Sequence, residues 1–333
     1  MIFLSASSKL QSYSPCISGK KLYDRDSLRI FKNERMTSIA SRLTPVAPFQ
    51  FLNWNWRGYT IRYAVMGTGR PLILIHGFGA SIGHWRKNVP ALVAAGNQVF
   101  VLDLLGFGGS DKPAVDYTVE LWEELLKEFW ETHVRQPAIV VGNSIGGLLA
   151  LMILADYPAI ATGGVLLNPA GGLNHRPEEL NLPMRLMMAT FTKLVSSDLV
   201  GPFLFNRIRH KPRIRETLKQ VYRDHTAITD ELVDMLYEPS CEVGAQRVFA
   251  SILTAPPGPK PSELLPKIRQ PLLMLWGDAD PWTPISGANL YQQLAETSDR
   301  VQFFPIPNAG HCPHDECPDL VNRLISQWLM EQG

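Results

Sequence analysis

From residue 71 onward, short apolar runs alternate with longer stretches whose apolar residues recur at helical spacing. The runs fall near 71–76, 98–103, 138–142, 165–168, 271–276 and 301–306. Positions that are apolar in succession are buried on both faces, as strands of a parallel sheet are. Between them lie helical patterns such as 118–130 and the wholly apolar stretch 145–155. This alternation predicts an α/β fold with a mostly parallel central sheet flanked by helices. Ahead of it, residues 54–63 alternate and turn like an antiparallel edge hairpin. From about 172 to 265 the alternation stops. The pattern there is mostly helical, broken by prolines, with lipophilic clusters at Met184, Leu186, Met187, Met188 and Phe191 and again from Val200 to Phe205. Residues 49–171 and 266–333 therefore read as the core, and 172–265 as an inserted helical cap. The Ala255-Pro256-Pro257-Gly258-Pro259 stretch reads as the hinge back to the core.

Residues 1–48 look different. The first 23 carry serine and lysine but no acid, the composition of a transit peptide; an over-extended start, with translation from Met36, explains the same segment equally well. Either way it reads as a poorly ordered extension. The remaining composition suits one medium-sized enzyme: 333 residues, 45% hydrophobic, enough for a large single core. With 32 basic residues against 31 acidic, no nucleic-acid footprint stands out, and the densest basic stretch, 207–215, reads as a solvated helix face. The longest charge-free apolar run, 145–155, is far short of the ~20 residues of a membrane span. Four scattered cysteines make no disulfide framework and point to a reducing compartment.

The chemistry concentrates at strand ends. Gly142-Asn143-Ser144-Ile145-Gly146 follows an apolar run and opens an apolar helix. A bend that tight needs glycines beside the serine and leaves its hydroxyl at the carboxyl edge of the sheet. Asp278 and Asp280 follow the run at 271–276, and His311 follows the one at 301–306. Serine, then acid, then histidine is the chain order of a hydrolase triad in such a fold. A hydroxyl is a poor nucleophile at neutral pH, so an imidazole must take its proton while a carboxylate holds the imidazole. Two N–H donors are needed for the oxyanion. Ile145 supplies one, and Phe78, in the His76-Gly77-Phe78-Gly79 loop, is expected to supply the other. Asp278 and Asp280, two apart, cannot be separated by spacing. The cluster from His311 to Cys317 offers metal-type ligands, but Cys16 and Cys241 are isolated and no second ligand pair completes a zinc site. No metal or cofactor is expected, and His314 reads as a supporting or capping residue.

The chain over 51–333 resembles the α/β-hydrolase superfamily, and more narrowly the group containing pheophytinase and chlorophyll dephytylase. The residues that carry this likeness are Gly142 to Gly147, Asp103-Leu104-Leu105-Gly106-Phe107-Gly108 with Ser110-Asp111-Lys112-Pro113, Leu218 to Tyr222 with Asp224-His225, and Gly310 to Glu316. The resemblance favours Asp280 as the acid. It implies a serine carboxylic ester hydrolase that releases phytol from a chlorophyll-type pigment. The serine at the elbow departs from haloalkane dehalogenases and epoxide hydrolases, which use aspartate there. Met184, Met187, Met188, Phe191 and Phe203 are then expected to include residues lining the hydrocarbon path. The expected partner is a small hydrophobic ester, with peripheral contact to a membrane and none to nucleic acid. The expected location is intracellular and soluble: chloroplast stroma or thylakoid surface in a plant or alga, cytoplasm in a cyanobacterium. A lipid or small-ester carboxylesterase and a non-catalytic ligand-binding member of the fold are the competing readings.

Overall fold

The computed structural model describes residues 49–176, 179–197 and 199–333. The expected N-terminal extension, 1–48, lies outside the described residues. Among the described residues eight strands form one sheet: β1 (Leu52–Trp56), β2 (Tyr59–Met66), β3 (Arg70–Ile75), β4 (Asn97–Leu102), β5 (Ala138–Asn143), β6 (Ala161–Leu167), β7 (Leu272–Gly277) and β8 (Val301–Ile306). Their order is β1-β2-β4-β3-β5-β6-β7-β8. The strands β3 to β8 pair in parallel, while β2 runs antiparallel to both β1 and β4. This is an α/β-hydrolase fold.

The continuous apolar runs have the cause their pattern implied. Ile73, Ile75, Val140 and Leu166 enter one core layer, whereas their neighbours Leu72, Leu74, Val141 and Val165 enter the other. Successive strand residues point to opposite faces, so a strand covered on both sides must be apolar throughout. Helices α1 (Val89–Ala94), α2 (Val119–Phe129) and α3 (Ile145–Asp156) supply much of the cover. Trp122, Leu125, Leu126 and Phe129 of α2 join the first layer with most of α3; Val89 and Leu92 of α1 join the second. Thr118 starts α2 by accepting the Leu121 N–H on its side chain.

Between β6 and β7 the chain leaves the sheet for a set of helices whose longer members are α4 (Leu182–Val195), α5 (Gly201–Ile208), α6 (Lys211–Val221), α7 (Asp230–Ser240) and α8 (Ala245–Thr254). Asn181 caps α4 by accepting the Met184 N–H. Two further helices, α9 (Asn289–Thr297) and α10 (Pro318–Glu331), complete the layers, and Val321, Ile325 and Trp328 of α10 pack on the second face.

The sheet order positions the site. From β3 the chain steps outward to β4 and then crosses back to β5 on the other side of β3. Such a reversal leaves a crevice beyond the carboxyl ends of adjacent strands. The loops after β3 and β5 meet there.

Candidate active site

Ser144 sits between β5 and α3 with φ +57° and ψ −119°. A non-glycine residue is strained there, and the turn is held by its surroundings. The Ser144 N–H donates to the Leu167 carbonyl, and its own carbonyl accepts from Gly147, Leu148 and Ala170. The flanking glycines are required by contact: a Cβ on Gly142 would lie 2.1 Å from the Gly146 carbonyl oxygen, and one on Gly146 would lie 2.2 Å from that of Ile75.

The side chains of three loops converge on this turn. The Ser144 Oγ lies 2.8 Å from Nε2 of His311, and Nδ1 of His311 lies 2.6 Å from Oδ2 of Asp280. All three residues are buried. Asp278 points elsewhere, its carboxylate accepting the Asn308 N–H in the turn after β8. Geometry thus separates two residues that spacing left equivalent.

Asp280 is surrounded by donors. Asn168 Nδ2 donates to Oδ2 at 2.7 Å, the Thr283 hydroxyl donates to the same oxygen, and the Trp282 N–H donates to Oδ1 at 2.7 Å. Burial alone would push its pKa up, but the His311 charge and the hydrogen bonds from His311, Thr283 and Trp282 outweigh it and hold the carboxyl below its ordinary value. The resulting ionised carboxylate can hold the imidazole with Nδ1–H toward it and Nε2 free to accept from Ser144. No motif in the sequence marks Asn168, Thr283 or Trp282 as partners of the acid. The Oδ1 of Asn168 also accepts the Gly277 N–H, tying the ends of β6 and β7 together. The Trp282 ring covers His311 with centroids 5.5 Å apart.

On the opposite side stands the loop after β3. His76 is fully buried, and that burial lowers its pKa to about 4. The neutral ring accepts the Leu104 N–H on Nε2 at 3.0 Å and donates from Nδ1 to the Gly77 carbonyl, so it fixes the loop that carries Phe78. Among the described residues, neither the Phe78 N–H nor the Ile145 N–H donates to a protein group. Two unspent donors flank the nucleophile, which is what an incoming oxyanion needs.

The residues after His311 brace its loop. Glu316 accepts the N–H groups of Gly310 and Asp224. Tyr222 links His84 and Asp315, at 2.8 and 2.9 Å, and Arg86 and Lys87 pair with the Asp315 carboxylate. His314 is no cap. It is buried with centroids 4.4 Å from the Trp85 ring and 4.5 Å from that of His84, and burial drives its pKa well below the ordinary imidazole value.

The five expected lining residues divide. Met184, Met188 and Phe191 are half-buried on one side of α4, whereas Met187 is 40% exposed and Phe203 67% exposed. Helical phase explains the correction: residues 184, 188 and 191 share a stripe at i, i+4 and i+7, and position 187 lies off it. On α5 the inward residue is Phe205. Its ring packs 5.3 Å from Phe249 of α8, and Phe249 lies 6.2 Å from Phe78. An aromatic line thus runs from the inserted helices to the oxyanion loop, and no sequence motif signals it.

A family model described as the alpha/beta hydrolase family matches residues 72–324. Chloroplastic pheophytinase of Arabidopsis thaliana is 29% identical over 242 residues, covering 68% of this chain; the chain spans about half (49%) of that protein's length. The 2-hydroxy-6-oxo-6-phenylhexa-2,4-dienoate hydrolase of Burkholderia cepacia is 29% identical over 310 residues, covering 88% of this chain and 99% of that protein. Among solved structures, a meta-cleavage product hydrolase from Pseudomonas fluorescens superposes with a TM-score of 0.66 at 26% identity, over 85% of this chain and 98% of the other.

Proposed function

The chain belongs to the alpha/beta hydrolase family, and from that premise we propose that it is a serine hydrolase cleaving a carboxylic ester through an acyl-enzyme, with a phytylated chlorophyll-type pigment, chlorophyll or pheophytin, as its substrate. The observation that carries the reaction type is the hydrogen-bonded line from Ser144 through His311 to Asp280. The substrate class is supported by the likeness to pheophytinase and by the lipophilic stripe Met184, Met188 and Phe191 on the inserted helices, which act as a cap.

In this reading Ser144 Oγ attacks the ester carbonyl carbon as His311 Nε2 takes the hydroxyl proton. Asp280 accepts from Nδ1–H and offsets the imidazolium charge. The oxyanion is held by the N–H groups of Phe78 and Ile145; losing one such donor costs roughly 3 kcal/mol. Collapse expels the alcohol, which takes the proton from His311, and leaves the acyl group on Ser144. Water, deprotonated by the same imidazole, then releases the acid. A phytyl chain buries several hundred Å² at about 25 cal/mol per Å², so an apolar lining selects it over a short ester.

The test is release of phytol, measured by chromatography, from chlorophyll and from pheophytin beside hydrolysis of a short p-nitrophenyl ester. Phytol release that is absent in Ser144→Ala supports the reading. Turnover of the p-nitrophenyl ester alone makes the protein a lipid or small-ester carboxylesterase, and no covalent labelling or turnover makes it a ligand-binding member of the fold. The nearly full-length likeness to the dienoate hydrolase favours one second reading, hydrolysis of a carbon–carbon bond beside a ketone. Loss of the dienoate chromophore on adding enzyme would favour it.

A further inference from the structure

Seven of the twelve large apolar side chains exposed among the described residues lie within positions 182–203. Leu182 and Leu186, one turn apart on α4, are 67% and 61% exposed, Leu199 is 90% exposed, and Phe203 on α5 is 67% exposed. Single exposed apolar residues are ordinary; a concentration of this kind on adjacent elements marks a contact surface. The two helices pack against each other and against α8, so their inner sides are occupied. On α4 the half-buried stripe of Met184, Met188 and Phe191 faces inward while Leu182 and Leu186 face out.

The charge around this surface says what it meets. Between positions 182 and 215 the sequence has seven arginines and lysines against a single acid, Asp198. Lys211 and Arg215 are paired with Asp234 and Asp230. Exposed Arg185, Lys193 and Arg207 make no ion pair among the described residues. Lys193 stands among the outward leucines of α4, and Arg207 lies in the last turn of α5. Protruding aliphatic and aromatic side chains edged by unpaired cations are the composition of an interfacial helix on an anionic lipid surface. A self-associating face edged by like charges would bring those cations against their own copies.

We propose that the outer sides of α4 and α5, with Leu199 and Val200 between them, dock on the surface of an anionic membrane, the apolar residues entering the headgroup boundary and Arg185, Lys193 and Arg207 meeting lipid phosphates. Phe205, on the same helix as Phe203, points inward to Phe249 and so toward the oxyanion loop. Docking therefore sets the cap's lipophilic lining beside the phase that dissolves a long-chain ester. The proposal goes beyond the ester reading and needs no turnover.

The test is co-sedimentation of the full chain with vesicles of phosphatidylcholine alone and with 30% phosphatidylglycerol, for the unchanged protein, for Ser144→Ala and for the double variant Leu186→Glu with Leu199→Glu. Expected are binding to the anionic vesicles at least tenfold above that to neutral ones in both of the first two proteins, loss of that preference in 0.5 M NaCl as salt screens the charges, and at least tenfold weaker binding of the double variant. Hydrolysis of a soluble p-nitrophenyl ester should be unchanged in the double variant, which separates a docking defect from misfolding and from failure of the ester reading. A folded, unchanged protein that ignores anionic vesicles, or a double variant that binds them equally well, overturns the proposal. So does a dimer by light scattering that dissociates in the double variant, which would assign the face to a second copy of the chain.

Discussion

The main-chain N–H of His311 donates to the Val221 carbonyl at 2.9 Å, so the loop carrying the base is tied to the last turn of α6 as well as to the sheet. Gly310 makes the approach possible, since a Cβ there would stand 2.1 Å from the same carbonyl oxygen. Gly310→Ala must separate the two segments and shift His311 from Ser144. We expect kcat to fall at least tenfold, with the circular dichroism spectrum retained, because misplacement of a catalytic group by about 1 Å costs on the order of 100-fold. Unchanged kcat would show that the clasp has no part in positioning the base.

The acid is tested by a pair of conservative changes. Asp280→Asn removes the charge facing His311 and presents an amide to Nδ1, favouring the wrong tautomer, an effect worth on the order of 10⁴ in a comparable triad. Asp278→Asn changes only a turn contact with Asn308 and should leave kcat within about threefold. Ser144→Ala and His311→Ala should each cost several orders of magnitude, and the double variant little more, since the residues act as a unit. Steady-state kinetics on one ester decides all of these.

Glu123 on α2 gives a pH-dependent prediction. It is 9% exposed, and its Oε1 has no hydrogen-bond partner. Burial, with Asp156 and Glu120 nearby, raises its pKa to about 7. A carboxyl raised in the folded state binds a proton more tightly there than in the unfolded chain, so stability is lost as pH rises from the ordinary value through 7. Glu123→Gln should therefore gain over the unchanged protein between pH 5 and pH 8, by about 1–2 kcal/mol after allowing for screening. Urea denaturation at the two pH values reads this directly. A difference independent of pH would mean that the carboxyl is solvated.

The cap is tested by a charge on its inner stripe and, separately, by truncation of the aromatic line from α5 to the oxyanion loop. Phe191→Asp and Phe249→Ala should depress release of phytol at least tenfold more than hydrolysis of p-nitrophenyl acetate, whose acyl group needs only Ser144 and the oxyanion donors. Equal loss on both esters in folded protein would mean that these residues support the triad and do not select the long chain.

What the sequence made legible is what is local. Gly142 is forced by contact with Gly146 inside one turn, whereas Gly146 is forced by the Ile75 carbonyl of β3; the nucleophile is readable from five consecutive residues because both glycines sit beside it, and the apolar runs declare strands covered on both faces. Asn168 and Val221 leave no such trace. Each reaches its target only after β6, β7 and α6 have been brought together, across 112 positions in the case of Asn168 and Asp280. Asp278 and Asp280 share one turn, and only the neighbouring backbone of Asn308 separates them. In the methionine-rich run, composition pointed to a lipophilic segment but not to its phase. Met187 and Met188 differ by one position, about 100° of helix, and only one of them faces inward.

Ser144, hydrogen-bonded to His311 at 2.8 Å, stands or falls as an activated nucleophile by its reactivity. Intact-protein and peptide mass spectrometry after treatment with a fluorophosphonate tests it most directly. One phosphonyl adduct is expected, on Ser144, formed in the unchanged protein and lost or slowed more than a hundredfold in His311→Ala. An adduct on another residue, or a folded protein that takes up none, would contradict it.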